Sequence, residues 1–388
     1  MRSPCPKEPN RLCLYAGLGH NVTIVRIIAD DLTGALDAAA PLVGLAGPLP
    51  VFWDAAAARG AGASFALDTE SRDRPAPAEG WLAALCGADL AYKKIDSLLR
   101  GRTVDEIAAC LASGRFASAV IAPAFPAQQR ITRDARQYWR PAPTAAWQPV
   151  AVELMAELRR RGLPVHHARS SGEIAGRGLF LCDATSEDDL AAIVGAGRGL
   201  TTPLLWIGTA GLARALAEPW GPAVASALPT PLLLVIGSHH PVTLAQVQQL
   251  TAHAPEAAAT IRLDCTDAVA AVEALAATLA ARGRAALVFA LPDGTGADVA
   301  GPLFDRVMAL AIGQVAPPRS LVVTGGATLF RLARALGARS LLVTGELMPG
   351  IAASHLEGGR WPGATVLSKS GAFGAPDLLV RCWQRAQS

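Results

Sequence analysis

The chain has 388 residues, of which 51% are hydrophobic and 17% charged, with a formal net charge of +3. That length exceeds what a single core usually supports, so two domains are expected, and the apolar fraction excludes extended disorder. The near balance of charge gives no reason to expect nucleic acid or an anionic membrane as a partner, and leaves local clusters as the place to look for anion binding.

The cysteines, Cys5, Cys13, Cys86, Cys110, Cys182, Cys265 and Cys382, are scattered and never spaced as C-x-x-C. This pattern indicates neither a zinc site nor a disulfide framework, and fits a reducing cytoplasm. No apolar run reaches the roughly 18 residues of a membrane span, and the opening residues lack a basic head followed by an unbroken apolar core. A soluble protein is expected. Residues 1–21, with Pro4, Pro6 and Pro9, read as an irregular leader.

From Val22 onward short apolar runs alternate with Ala/Leu-rich helical stretches, which predicts a mostly parallel sheet wrapped by helices. The first run (Val22, Ile24, Val25, Ile27, Ile28) leads into Ala29-Asp30-Asp31-Leu32-Thr33-Gly34-Ala35. Two carboxylates therefore fall where a strand ends and a helix, continuing to Ala40, begins. Ligands collect at the carboxyl ends of strands in open α/β sheets, and Asp also caps helices, so one carboxylate is expected in each role. Further strands are predicted over 64–67, 119–122, 204–207, 232–236, 286–291 and 321–324.

Charge follows two of these early runs. Asp68-Thr69-Glu70-Ser71-Arg72 comes after Phe65–Leu67, and Tyr92-Lys93-Lys94-Ile95-Asp96-Ser97-Leu98-Leu99-Arg100-Gly101 comes after Ala88–Ala91. Lys94, Asp96, Ser97 and Arg100 offer cations, a carboxylate and a hydroxyl suited to a polyhydroxy acid. The alternative is a helix start capped by Asp96 or Ser97 with the cations solvated. In a third loop, Ala122-Pro123-Ala124-Phe125-Pro126, two prolines restrict the backbone, and Arg130 and Thr132 are placed to reach the same cleft. Arg159-Arg160-Arg161 ends a helix, where cations complement the macrodipole. Glu218-Pro219-Trp220-Gly221-Pro222, with Pro229 and Pro231, breaks helices and marks a linker between domains at 22–220 and 231–388.

The second half is glycine-rich instead. Gly237-Ser238-His239-His240, Gly325-Gly326-Ala327-Thr328 and Lys369-Ser370-Gly371-Ala372-Phe373-Gly374 are each placed to cradle phosphate, the middle one at a helix start. None matches the Walker pattern or the dinucleotide fingerprint. His239 and His240 lack a third metal partner at suitable spacing and read as helix-start residues. Glu346 and Met348-Pro349-Gly350 follow Leu341–Val343, as a backbone turning round a base or ribose or as a plain Pro-Gly turn. Asp293-Gly294-Thr295-Gly296 is another turn without an assigned role.

Taken together, ADDLTGALDA (29–38), DTESR (68–72), KKIDSLLRG (93–101), APAFP with RIT (122–132), GTAGLARAL (208–216), GSHHPVT (237–243), TGGAT (324–328), GELMPG (345–350) and KSGAFG (369–374) resemble the four-carbon acid sugar kinase family. The resemblance spans nearly the whole chain. It implies an N-terminal domain binding the acid sugar, a C-terminal domain binding ATP, and phosphorylation of threonate, erythronate or a 3-oxo-tetronate. The chain departs from the family pattern at Ala327 (an acid), Leu98 (Thr), Arg102 (Asn), His240 (Ser) and Gln129 (Gly).

The expected architecture is α/β: two domains, each a mostly parallel sheet flanked by helices, with an active-site cleft between them. Asp30 or Asp31, with Asp96 third, is expected to orient the reacting hydroxyl or accept its proton. Arg72, Lys94 and Arg100, with Ser97, are expected to hold the acid. Gly237, Ser238, Gly325, Gly326, Ala327, Thr328, Glu346, Gly350, Lys369 and Gly371 are expected around the phosphates and ribose. Mg2+ is expected to travel with ATP, no metal ligand is assigned, and a homo-oligomer is left open. A nucleotide-binding sensor that no longer transfers phosphate is the alternative, on the strength of Ala327 and the altered loop residues; a nicotinamide-dependent dehydrogenase is disfavoured by the missing fingerprint.

Overall fold

Five consecutive apolar residues, Leu232–Ile236, form a strand with no exposed position, the mark of a sheet covered on both faces. The computed structural model describes residues 23–60, 62–72, 78–201, 203–217, 227–255, 258–262, 268–290 and 297–387. The leader, the linker segment at 218–222 and the turn at 293–296 lie outside them. The chain divides into two compact units. One comprises Met1–Asp30, Leu42–Leu49 and Trp53–Trp220, the other Asp31–Pro41, Pro50–Phe52 and Gly221–Ser388.

The strands up to residue 122 are β1 (Val25–Ala29), β2 (Leu49–Phe52), β3 (Phe65–Asp68), β4 (Leu90–Lys94) and β5 (Ser118–Ala122). Next come a small antiparallel group, β6 (Arg130–Arg133), β7 (Arg136–Trp139) and β8 (Gln148–Pro149), and then β9 (Val165–Ala168), β10 (Leu179–Cys182) and β11 (Leu204–Gly208). In the first unit the order β3-β1-β4-β11-β5-β10-β9 is parallel throughout. Ile27, Ile28, Val120, Ile121, Leu205 and Ile207 are buried in its core.

The remaining strands are β12 (Leu228–Pro229), β13 (Leu232–Ile236), β14 (Ala258–Arg262), β15 (Arg284–Ala290), β16 (Ser320–Thr324), β17 (Ala338–Met348), β18 (Ile351–Gly358), β19 (Thr365–Lys369) and β20 (Ala386–Gln387), which pairs with β12. In the second unit β14-β15-β13-β16-β19 run parallel, and the hairpin β18-β17 extends the sheet antiparallel. Leu234, Ile236, Val322 and Leu367 meet Leu250, Leu378 and Trp383 in its core.

Several predicted strand boundaries move by a residue or two, and two strands run three or more residues further than predicted. Tyr92, Lys93 and Lys94 lie inside β4 rather than after it, because the two lysines are buried and so continue the strand instead of ending it. Glu346 likewise lies within β17, which runs on through register shifts around Gly345 and Met348 to a two-residue turn at Pro349-Gly350. Gly350, at φ 79°, supplies the left-handed residue that turn needs. Among the described residues no helix is long and apolar enough to cross a membrane.

Candidate active site

In the first unit the strand ends are nearly flush. Ala29 lies beside Asp68, Lys94 beside Gly208, and Gly208 beside Ala122, so the segments that follow leave one edge of the sheet. The 69–72 segment is stitched to the end of β1. Thr69 N and Oγ1 both donate to Ala29 O, at 3.0 and 2.9 Å, and Arg72 N donates to Asp30 O at 3.1 Å. Arg72 Nε reaches Asp30 Oδ2 at 2.8 Å. Asp30 is only 2% exposed, and its Oδ1 has no hydrogen-bond partner among the described residues. Burial alone would raise its pKa; the charges of Arg72, Lys93 and Lys94 outweigh that and hold the carboxyl below its usual value.

Asp96 is the opposite case, a saturated carboxylate. It accepts from Leu98 N (3.0 Å), Arg100 N (3.1 Å), Arg100 Nε (2.9 Å) and Arg100 Nη2 (2.7 Å), with Arg72 Nη2 at 3.5 Å. Burial opposes its ionisation, but the Arg100 hydrogen bonds and the charges of Arg72 and Arg100 hold it far below the normal carboxylate range. Neither Asp96 nor Ser97 caps a helix: the next one begins at Thr103, and Asp96 closes the turn at 97–100 instead. Lys94 is buried with Nζ donating to Ile95 O at 2.9 Å, and Ser97 is half-buried. Gly101, at φ +69°, lets this turn close on the 69–72 segment, since a Cβ there would sit 3.0 Å from Arg72 O.

Sequence patterning missed the residues that brace these loops. Lys93, fully buried, lies 2.7 Å from Glu106 Oε2 and 5.6 Å from the Trp81 ring centroid. Gln137 donates to Ser97 O (3.0 Å) and Pro123 O (3.1 Å) and accepts from Thr132 Oγ1 (2.7 Å). Thr209 Oγ1 donates to Ala124 O at 2.7 Å, while Tyr92 Oη donates to Thr209 O at 2.5 Å. Gln129 occupies the left-handed region at φ 60°, which explains why Gly suits that position, and its Oε1 accepts from Arg140 Nε at 2.7 Å. The one signal available was polarity at an inward position of a strand, as at Gln137 in β7.

In the second unit Ile236, Thr324 and Lys369 are register partners across β13, β16 and β19, so three glycine-bearing loops start at one level. They pack against each other. A Cβ on Gly237 would collide with Thr328 Oγ1, and one on Gly371 with Ser238 Oγ; one on Gly325 would lie 3.4 Å from Ser238 Cβ. Gly350 belongs to the same edge, because Ile351 pairs with Lys369. Helix Gly326–Leu336 starts from Gly325 with no side-chain cap and no acidic residue in its first turn, and Ala327 there is exposed. Its leading amides therefore have no side-chain cap, the arrangement in which helix starts can accept an anion.

Lys369 is 1% exposed, and its Nζ donates to Thr243 Oγ1 (3.2 Å), which donates to Gly371 O (2.8 Å). Burial pulls its pKa down to about 8, against a smaller upward effect of Cys382. Gln246 Nε2 reaches Phe373 O, Gly374 O and Ala375 O at 3.2, 3.2 and 2.9 Å. His240 caps helix Pro241–His253, with Nδ1 accepting from Val242 N at 3.2 Å, so it replaces a serine cap without losing the bond.

Asp31 also belongs to the second unit. It accepts from Gly34 N (3.0 Å) and Thr33 Oγ1 (2.7 Å), and so caps helix Leu32–Ala46. A Cβ on Gly326, in the same unit, would lie 2.8 Å from Thr33 Oγ1 and 3.1 Å from Asp31 Oδ2. Among the described residues no group of three or more His, Cys, Asp or Glu is arranged to hold a metal.

Comparison with known proteins agrees with this division. Residues 25–157 match the model of a sugar-binding N-terminal domain and residues 233–379 that of a nucleotide-binding C-terminal domain. The chain is 32% identical to a D-threonate kinase of Cupriavidus necator, over 92% of this chain and 97% of that protein. It is 31% identical to a D-threonate kinase of Bordetella bronchiseptica, over 93% and 96% respectively. A solved structure from Salmonella typhimurium LT2 has the same fold, with a TM-score of 0.72 at 21% identity, covering 94% of this chain and 99% of that one.

Proposed function

This chain belongs to the four-carbon acid sugar kinase family and is a sugar-acid kinase, and on that footing we propose that it transfers the γ-phosphoryl group of ATP to the terminal hydroxyl of a tetronate, with D-threonate the leading acid. The observation that carries the proposal is the closeness of the Asp31–Thr33 cap to Gly326: carboxylate, hydroxyl and glycine-framed helix start lie together in one unit. A carboxylate and a hydroxyl beside an uncapped helix start suit phosphoryl transfer, where positioning and charge neutralisation do most of the work.

The loop geometry fits a nucleotide triphosphate. Gly237, Gly325 and Gly371 are places where any side chain would fill the space between the loops, which leaves backbone amides to face phosphate. Gly326, Ala327, Thr328 and Ser238 would line the phosphates, Lys369 would supply charge, and Glu346 and Gly350 would lie toward the ribose. Bound nucleotide brings the phosphoryl donor, and Mg2+ enters with it, since Mg2+ commonly binds through one or two carboxylates plus phosphate oxygens.

In the first unit Arg72, Lys94 and Ser97 would hold the acid, with Arg100 acting mainly through Asp96. Asp30 would take the proton of the attacking hydroxyl on Oδ1 as the new O–P bond forms and the bond to ADP breaks. Its low pKa makes that transfer late. Asp31, occupied as a cap, orients rather than accepts.

Coupled ADP release against D- and L-threonate, D- and L-erythronate and their 3-oxo forms tests the proposal. Turnover is expected with a four-carbon acid, D-threonate foremost, and none without acid. Calorimetric ATP binding with no turnover on any of these acids would overturn it.

A further inference from the structure

Gln137 lies outside every motif that carries the family resemblance, yet its carboxamide is buried at 2% exposure and fully bonded. Oε1 accepts from Thr132, and Nε2 donates to the carbonyls of Ser97 and Pro123. The amide has one workable orientation, because turned over it would set oxygen against two carbonyl oxygens. The bonds join three separate segments: the 96–100 turn, the 123–126 loop and the β6-β7 hairpin.

The hairpin itself is fixed. Thr132 exchanges two backbone bonds with Ala184, at 2.8 and 2.9 Å, and Gln137 O accepts from Val150 N at 2.8 Å. The 96–100 turn closes on Asp96 and the 123–126 loop on Arg130 and Thr209, so each is bonded within itself, and Gln137 supplies a side-chain link from both to the hairpin; Leu99 sits in the left-handed region at φ 58°. A non-glycine residue there persists only where surrounding structure imposes it. The hairpin therefore acts as a platform, and Gln137 transmits its position to Ser97.

Resting on the kinase proposal above, we propose that Gln137 is a positioning residue for the acid sugar: by holding Ser97 O and Pro123 O on one nitrogen it sets the spacing of the loops that grip the acid.

Gln137→Glu keeps the shape and the acceptor for Thr132 but sets a carboxylate oxygen against the two carbonyls; Gln137→Leu removes all three bonds. Both are expected to raise KM for the acid about tenfold or more, with KM for ATP unchanged, and to narrow the preference for four- over five-carbon acids. Thr132→Val, which removes the bond that tethers Oε1 to the hairpin, should move the same constants in the same direction by less, and serves if the Gln137 variants fold poorly. Hydrogen exchange gives a readout independent of activity: residues 96–100 and 123–126 should lose protection in Gln137→Leu while β1, β4 and β5 keep theirs.

An unchanged KM for the acid, equal changes for acid and ATP, or unaltered loop protection would overturn the positioning role. Wild-type protein that turns over none of the acids would instead remove the kinase proposal, and the exchange result would still judge the bracing.

Discussion

Asp30 has two oxygens in different circumstances, one bound to Arg72 and one buried without a hydrogen-bond partner among the described residues. A carboxylate so placed is stabilised as the anion yet has a lone pair to give. Asp30→Asn keeps the size and an acceptor for Arg72 but cannot take a proton. Steady-state kinetics should show kcat lowered by about 10²- to 10⁴-fold with little change in KM for ATP. Lys369 makes a second prediction at this scale. Its ammonium is lost as pH rises through about 8, so kcat/KM for ATP should fall on the alkaline side near that value. Lys369→Arg, which stays charged, should shift that limb upward; an identical limb in the variant would rule Lys369 out as its source. Asp30, held low, stays ionised throughout that range.

At the level of strands and helices, the Lys93–Glu106 pair joins β4 to helix Thr103–Ala112. It is buried on both sides, so breaking it from one side strands a charge in a poorly solvating site. Lys93→Met should cost about 3–5 kcal/mol in urea denaturation, and Lys93→Met/Glu106→Leu should recover most of it. A double variant as unstable as the single one would mean that the pair is worth more than its desolvation. Elements of this kind were only half legible in the sequence. β13 was read to the residue because an unbroken apolar run has one interpretation, and β16 was read within one residue. β4 was cut short, because lysines look like loop residues unless their partner is known, and Glu106 lies on a different element. β17 was cut short for a similar reason, since register shifts around Gly345 interrupt the alternation that marks a strand.

For the molecule as a whole, the division into a charged first half and a glycine-rich second half was visible from residue types alone, and it matches the two domain models. The membership of Asp31–Pro41 in the second unit was not visible, because it depends on Thr33 and Asp31 meeting Gly326, almost three hundred residues away. The same holds for Gln137 and Gln246, whose bonds run to backbone carbonyls that any residue supplies. Motifs reveal what a site displays; its scaffolding is spelled in ordinary residues. The level termination of β13, β16 and β19 has a consequence for how such a protein can change over time. A one-residue deletion within any of the three would retract its loop by about 3.3 Å and turn every later side chain to the opposite face. Drift can therefore exchange Leu for Val or Ile along these segments freely, while their lengths are held constant, and new specificity must come from lengthening or rewording the turns beyond them.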